Sequence, residues 1–263
     1  MSNQPLLRLA DLTKSFGGVM AVNRVTFAVD PGTIVGLIGP NGAGKTTVFN
    51  LITGNYRPDR GEILFDGQNI ATMRTHRIVS LGIARTFQTI RLFPNMSALE
   101  NVLAGCHCRM RSGVIGAMLR LPWQKREERQ ALETAVAELS FVGLREQLDQ
   151  SARNLSYGNQ RLLEIARALA TKPRFLILDE PAGGMNDYET QVLVDLILQI
   201  RDRGITVLLI EHDMNLVMKI CDKLVVLEYG MLIAQGSPEK IRANQRVIDA
   251  YLGAPDDDEN EDF

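Results

Sequence analysis

The sequence predicts an α/β protein built on a mainly parallel sheet, with an N-terminal antiparallel β part and an inserted helical subdomain. Three observations lead there. Apolar β-rich runs at residues 33–38, 175–178, 206–210 and 223–227 read as strands buried on both faces, and helical patterns separate them, an order that makes neighbouring strands parallel. Shorter runs at residues 7–12, 24–29 and 62–65, punctuated by Asp30-Pro31-Gly32 and Asp66-Gly67, read as an antiparallel sheet packed on the parallel one. Between residues 97 and 143 the β signal vanishes and helical spacing replaces it.

Each element has its own local reason. Residues 33–38 run straight into a glycine-rich turn, so a buried strand ends there and a helix begins. In the helical segment, Leu132, Ala135, Val136 and Leu139 share one predicted helix face. After Asp187, Leu193, Leu196, Ile197 and Ile200 fall at i, i+3, i+4 and i+7, and Gly204 marks where that helix stops.

Composition bounds the function. The 263 residues are 45% hydrophobic and 23% charged, as in globular chains, and no run reaches the roughly 18 apolar residues of a membrane span. The apolar stretch 114–123 is cut by Arg120 and Pro122, and the N-terminal residues lack a secretory signal, so a cytoplasmic protein is expected. Cys106, Cys108 and Cys221 are too few for a disulfide framework or a four-ligand zinc site. Residues 256–263 carry six carboxylates and no base, which reads as a solvated acidic tail; removing them from the net −2 leaves +4 on residues 1–255.

The chemistry concentrates in two segments. Gly39-Pro40-Asn41-Gly42-Ala43-Gly44-Lys45-Thr46-Thr47 meets the G-x-x-x-x-G-K-[ST] pattern in its required strand-then-helix context. Glycines let backbone N–H groups wrap phosphate oxygens, the helix start adds its positive end, Lys45 reaches the β/γ-phosphates, and the Thr46 hydroxyl suits Mg2+. The second segment, residues 174–181, delivers Asp179 and Glu180 at the carboxyl end of a strand, where open α/β sheets bind ligands. Two adjacent acids divide two tasks: Asp179 orients Mg2+ through its water and Glu180 polarises the attacking water.

Leu155-Ser156-Tyr157-Gly158-Asn159-Gln160, followed by a helical segment, resembles the signature motif of ATP-binding-cassette (ABC) ATPases. The family pattern is Leu-Ser-Gly-Gly-Gln, so Tyr157 replaces the first glycine and Asn159 the glutamine. The resemblance covers about residues 5–253 and implies further roles. Ser156 and Gly158 would bind the phosphate of a partner's ATP, Phe16 would stack on adenine, Gln88 would touch Mg2+ or the attacking water, and His212 would contact the γ-phosphate. Asn186 stands where the pattern has aspartate, which leaves a hydrogen-bonding group without charge. The implied layout is one ABC ATPase domain over residues 1–255, with the core at about 5–95 and 160–253 and the helical subdomain at about 96–159.

Phe16-Gly17-Gly18, Arg85-Thr86-Phe87-Gln88, Arg91-Leu92-Phe93, Tyr157 to Arg161, Ile210 to Met214 and Tyr251-Leu252-Gly253 together resemble the larger ATPase subunit of branched-chain amino-acid importers. That resemblance implies ATP and Mg2+ as cofactors and ATP-driven head-to-tail closure with a second ABC ATPase subunit. It also implies two permease subunits, an indirect link to a substrate-binding protein, no nucleic acid, and a peripheral place on the cytoplasmic face of the membrane. The segment 106–129 holds six Lys/Arg against Glu127 and Glu128, a mix that suits a permease or anionic lipid surface as well as a solvated helix pair. Three other readings share part of the motif set: a P-loop kinase or GTPase, a soluble ABC ATPase acting on ribosomes or DNA, and a lipopolysaccharide exporter ATPase. The first leaves the signature motif and His212 unexplained. The second is disfavoured by a single nucleotide domain without a dominant basic face, and the third by Tyr157 and the long insertion.

Overall fold

The computed structural model describes residues 4–109 and 122–252, which form two compact units, one of residues up to 73 and from 208, the other of residues 74–207. The predicted acidic tail and the centre of the basic insertion lie outside the described residues.

In the first unit, β1 (Leu7–Phe16), β2 (Val19–Val29), β4 (Arg60–Phe65) and β5 (Gln68–Asn69) form an antiparallel sheet in the order β2-β1-β4-β5. The turn expected at Asp66-Gly67 joins β4 to β5, and both residues have positive φ, 50° and 76°, which suits Asp-Gly in a tight hairpin. β1 and β2 run farther than the sequence predicts, to a hairpin tip at Gly17-Gly18. β3 (Ile34–Ile38) pairs in parallel with β9 (Lys223–Glu228), and β10 (Met231–Gly236) closes that edge antiparallel to β9. β8 (Thr206–Ile210) follows β3 in the sheet order. Every residue of β3 and β8 is buried, as the continuous apolar runs imply. The antiparallel sheet meets this one where Asn23 N donates to Gly230 O at 2.7 Å. Four helices complete the unit among the described residues: α1 (Lys45–Ile52), α7 (Met214–Ile220) and the pair α8 (Pro238–Arg242) and α9 (Gln245–Leu252).

The second unit carries a parallel pair, β6 (Ile83–Arg85) and β7 (Phe175–Asp179), after α2 (Thr75–Leu81). A helical cluster follows, in which α3 (Ala98–Cys106), α4 (Pro122–Phe141) and α5 (Tyr157–Leu169) pack on one another. Ser97 and Glu100 close a capping box on α3, which fixes the entry to this cluster. The predicted face on α4 is partly revised. Ala135 and Leu139 are fully buried and Val142 joins them, whereas Leu132 is 44% exposed. α6 (Asp187–Asp202) buries Leu193, Leu196, Ile197 and Ile200 as predicted, and Gly204 ends it at φ 84°.

Candidate active site

The glycine-rich loop sits between β3 and α1. Val48, Phe49, Leu51 and Ile52 are buried under α1, each contributing about 1.5 to 3 kcal/mol, so the helix start is anchored from below. Two glycines show why the loop admits nothing larger. Gly44 has φ 97° and a Cβ on it would run into the Ala21 carbonyl, while Gly42 has φ 75° with open space around it. The first is required by close packing and backbone angle, the second by angle alone. No side chain caps α1 and its first turn holds no acid, so its N–H groups favour an anion. Lys45 is buried, and its Nζ donates to Gly39 O at 2.7 Å and Pro40 O at 2.9 Å, which holds the ammonium inside the loop. Thr46 is exposed beside it and Thr47 is half-buried.

The first unit also carries Phe16 and His212. Phe16, 41% exposed at the β1–β2 tip, meets the Tyr56 ring edge to face at 5.0 Å and has Lys14 Nζ 5.3 Å from its centroid. Lys14 in turn pairs with Asp59 at 2.8 Å, and this hydrogen bond together with that from Ser15 N holds the Asp59 carboxyl below its ordinary range. His212 is exposed just after β8, and its backbone N donates to the buried Glu211 at 3.2 Å. Tyr251 on α9 reaches back to the backbone of Gly39, a contact the sequence reading missed, and burial pushes its hydroxyl up to about 12.

The second unit assembles the acidic residues. β7 ends in Asp179, 3% exposed, whose Oδ2 accepts from Arg85 Nη2 at 2.6 Å. The parallel pairing of β6 with β7 sets Arg85 opposite Ile177, so its side chain reaches the carboxylate two residues on. Glu180 follows with φ 47°, a conformation costly for a residue with a Cβ and typical of functional positions. Its Oε2 accepts from Gln88 Nε2 at 2.8 Å, so two residues predicted separately are in direct contact.

Ser156 caps α5, with its Oγ accepting from Asn159 N at 3.2 Å, and Gly158 is buried one residue into the helix. A Cβ on Gly158 would sit 2.5 Å from Glu189 Oε1, so a larger residue there would have to displace the Glu189 carboxylate. Glu189 forms a capping box with Asn186 at the start of α6, which shows what the departure from aspartate does locally: the Asn186 side chain serves the helix. Arg161 is 1% exposed, and its guanidinium bonds Glu164, Tyr157 and the carbonyls of Phe87 and Gln88. Burial raises the Glu164 carboxyl despite the neighbouring arginines. Arg85, Arg161 and Glu164 were not identified as site residues from sequence; a buried arginine leaves no periodicity to read.

Among the described residues no group of three or more His/Cys/Asp/Glu side chains could hold a metal, and no helix is long and apolar enough to cross a membrane.

The chain is similar to known proteins over most of its length. The ABC transporter family model matches residues 22–183, and that of the branched-chain amino acid ATP-binding cassette transporter matches residues 231–257. The high-affinity branched-chain amino acid transport ATP-binding protein BraF of Pseudomonas aeruginosa is 48% identical over 252 residues, covering 95% of this chain and 99% of BraF. LivG of Escherichia coli K12, described in the same words, is 47% identical over the same shares. Among solved structures, the ADP conformation of MJ1267, an ATP-binding cassette of an ABC transporter, superposes with a TM-score of 0.83 at 32% identity, covering 95% of this chain and all of that one. ABC ATP-binding proteins hydrolyse ATP to power transport, and the chain belongs to the ABC transporter family as one of its ATP-hydrolysing subunits.

Proposed function

We propose that the chain powers an importer of branched-chain amino acids, with residues 1–255 acting as a single ABC ATPase domain on the cytoplasmic face of the membrane. The observation that carries the cargo is the match of the C-terminal residues 231–257 to the branched-chain transporter model, joined to 46–48% identity with BraF and LivG over 95% of the chain. Its partners in this reading are a second ABC ATPase subunit, two permeases and, through them, a substrate-binding protein.

Within the site, the N–H groups of residues 39–47 and the Lys45 ammonium hold the ATP phosphates, and Phe16 presents an exposed ring for adenine. The Thr46 hydroxyl, the Asp179 carboxylate and the Gln88 amide oxygen are hard oxygen donors of the kind Mg2+ takes. Each is suited to the ion within its own unit: Thr46 is exposed, Gln88 commits its nitrogen to Glu180, which leaves the oxygen as its donor, and Asp179 gives Oδ2 to Arg85, which leaves Oδ1 as its donor. When bound, Mg2+ neutralises charge on the β- and γ-phosphates. Glu180, held in place by Gln88, orients the attacking water and accepts its proton, and His212 contacts the γ-phosphate. Ser156 and the start of α5 serve the nucleotide of the partner subunit in a head-to-tail pair, and closure of that pair drives the permeases between access states.

The test is capture of Glu180→Gln protein from gently solubilised membranes with ATP and Mg2+, followed by mass spectrometry and by leucine uptake in vesicles. Recovery of two polytopic permeases and a second ATPase, with ATP-dependent leucine uptake by the wild type, is the expected result. Recovery of only ribosomal or DNA-associated proteins would overturn the importer reading.

A further inference from the structure

Tyr157 stands where the family's signature pattern has glycine, so its ring adds contacts that the pattern does not supply. The hydroxyl accepts from Arg161 Nη2 at 3.3 Å. The ring also lies along the loop that follows Glu180: a Cβ on Gly184, whose φ is 77°, would sit 3.1 Å from it.

Arg161, one turn later on α5, is the largest fully buried side chain among the described residues. Its fork donates to two successive carbonyls, Phe87 O at 2.6 Å and Gln88 O at 2.7 Å, and to Glu164 Oε2 at 3.0 Å. Glu164 accepts in turn from Arg91 N at 3.2 Å, and the Phe87 ring faces Arg91 at 4.3 Å and Arg85 at 5.0 Å. Residues 87 and 88 belong to no helix or strand, so these contacts, and not a backbone ladder, fix where they run. Gln88 then reaches Glu180 at 2.8 Å. A planar fork matches two adjacent carbonyls in a way an ammonium cannot.

We propose that Arg161, steadied by Tyr157, is a positioning residue that ties the start of the signature helix to Gln88 and, through it, to Glu180. This rests on the reading of Gln88 and Glu180 as groups that act on water and Mg2+. A displacement at the start of α5, where the partner's nucleotide is read, is then passed to the groups that act on the chain's own nucleotide. Arg161 itself touches no reacting atom.

The experiment is MgATP hydrolysis by the reconstituted transporter carrying Arg161→Met, Arg161→Lys, Tyr157→Phe, Gln88→Ala, and Gln88→Ala combined with each of Arg161→Met and Tyr157→Phe. Arg161→Met is expected to lower kcat about tenfold to hundredfold, the value of one charge-assisted hydrogen bond, with KM within about threefold of wild type. Arg161→Lys, able to reach one carbonyl, recovers part of kcat. The combination with Gln88→Ala is no slower than the slower single variant, because both losses run through one side chain. Should Arg161→Met fail to fold, Tyr157→Phe with its Gln88→Ala combination gives the same non-additivity test. Losses that multiply in the combination, or wild-type kcat in Arg161→Met beside a slow Gln88→Ala, overturn the inference alone. Wild-type kcat in Gln88→Ala overturns the underlying reading instead.

Discussion

Replacing Arg85 with methionine removes the positive partner of Asp179 while keeping most of the apolar stem. The two side chains are 7% and 5% exposed and meet at 2.6 Å, so the variant leaves a carboxylate buried without its counter-charge. Breaking a buried pair this way costs about 3 to 5 kcal/mol. For a chain of this size each kcal/mol shifts the melting temperature by about 2 to 4 °C, which gives a fall of about 6 to 20 °C. The unpaired carboxylate of the variant has a second observable consequence. If Asp179 faces Mg2+, the cation replaces the missing charge, so MgATP raises the melting temperature of Arg85→Met more than that of wild type. ATP with EDTA gives no such excess. Thermal unfolding followed by circular dichroism under the three conditions measures both effects. A fall under about 2 °C would show that Asp179 does not depend on Arg85, and equal MgATP shifts in the two proteins would take Asp179 off the metal.

Lys45→Ala should weaken ATP binding about tenfold to hundredfold, the loss of one charge-assisted contact to phosphate, and an unchanged affinity by equilibrium dialysis would contradict the phosphate-cradle assignment. Asn186→Ala removes the α6 cap and should cost about 1 kcal/mol in denaturant unfolding, with Asn186→Asp recovering it; equal stability of all three would show that the capping box contributes nothing. Burial pushes the Cys221 thiol up to about 12 from an ordinary value near 9, so its contribution is complete below pH 9 and is lost as pH rises toward 12. The slope is about 1.4 kcal/mol per pH unit. Cys221→Ala should therefore flatten the alkaline loss of stability over that range, and identical slopes would contradict the assignment.

Where the chain signals chemistry contiguously, the sequence is enough. Gly39 to Thr47 carry their own spacing, and the buried run before them sets the strand that aims them. The apolar runs behind β3, β7, β8 and β9 were legible because both faces of these strands are buried. β10 was not, since it is an edge strand in which Ala234 alone is buried, and β6 spans three residues, too few for a period. The outer end of β1 is polar and half-buried, and that of β2 begins with the exposed apolar Val19 and Met20, so neither carries a buried alternation, which hid the hairpin tip that carries Phe16. The contact of Gln88 with Glu180 joins residues 92 positions apart, and local spacing says nothing about such a meeting. Arg161 reads as an ordinary polar residue of an amphipathic helix; only the fold shows it buried against two carbonyls.

The most direct test of the account is single-turnover hydrolysis by Glu180→Gln in the assembled transporter. Glutamine keeps the shape and the hydrogen bond from Gln88 but cannot take a proton, so the account predicts ATP bound with near wild-type affinity, cleavage slowed about 10²- to 10⁴-fold, and accumulation of the closed dimer. Cleavage at close to the wild-type rate would contradict it, and would move the water-activating role to another residue.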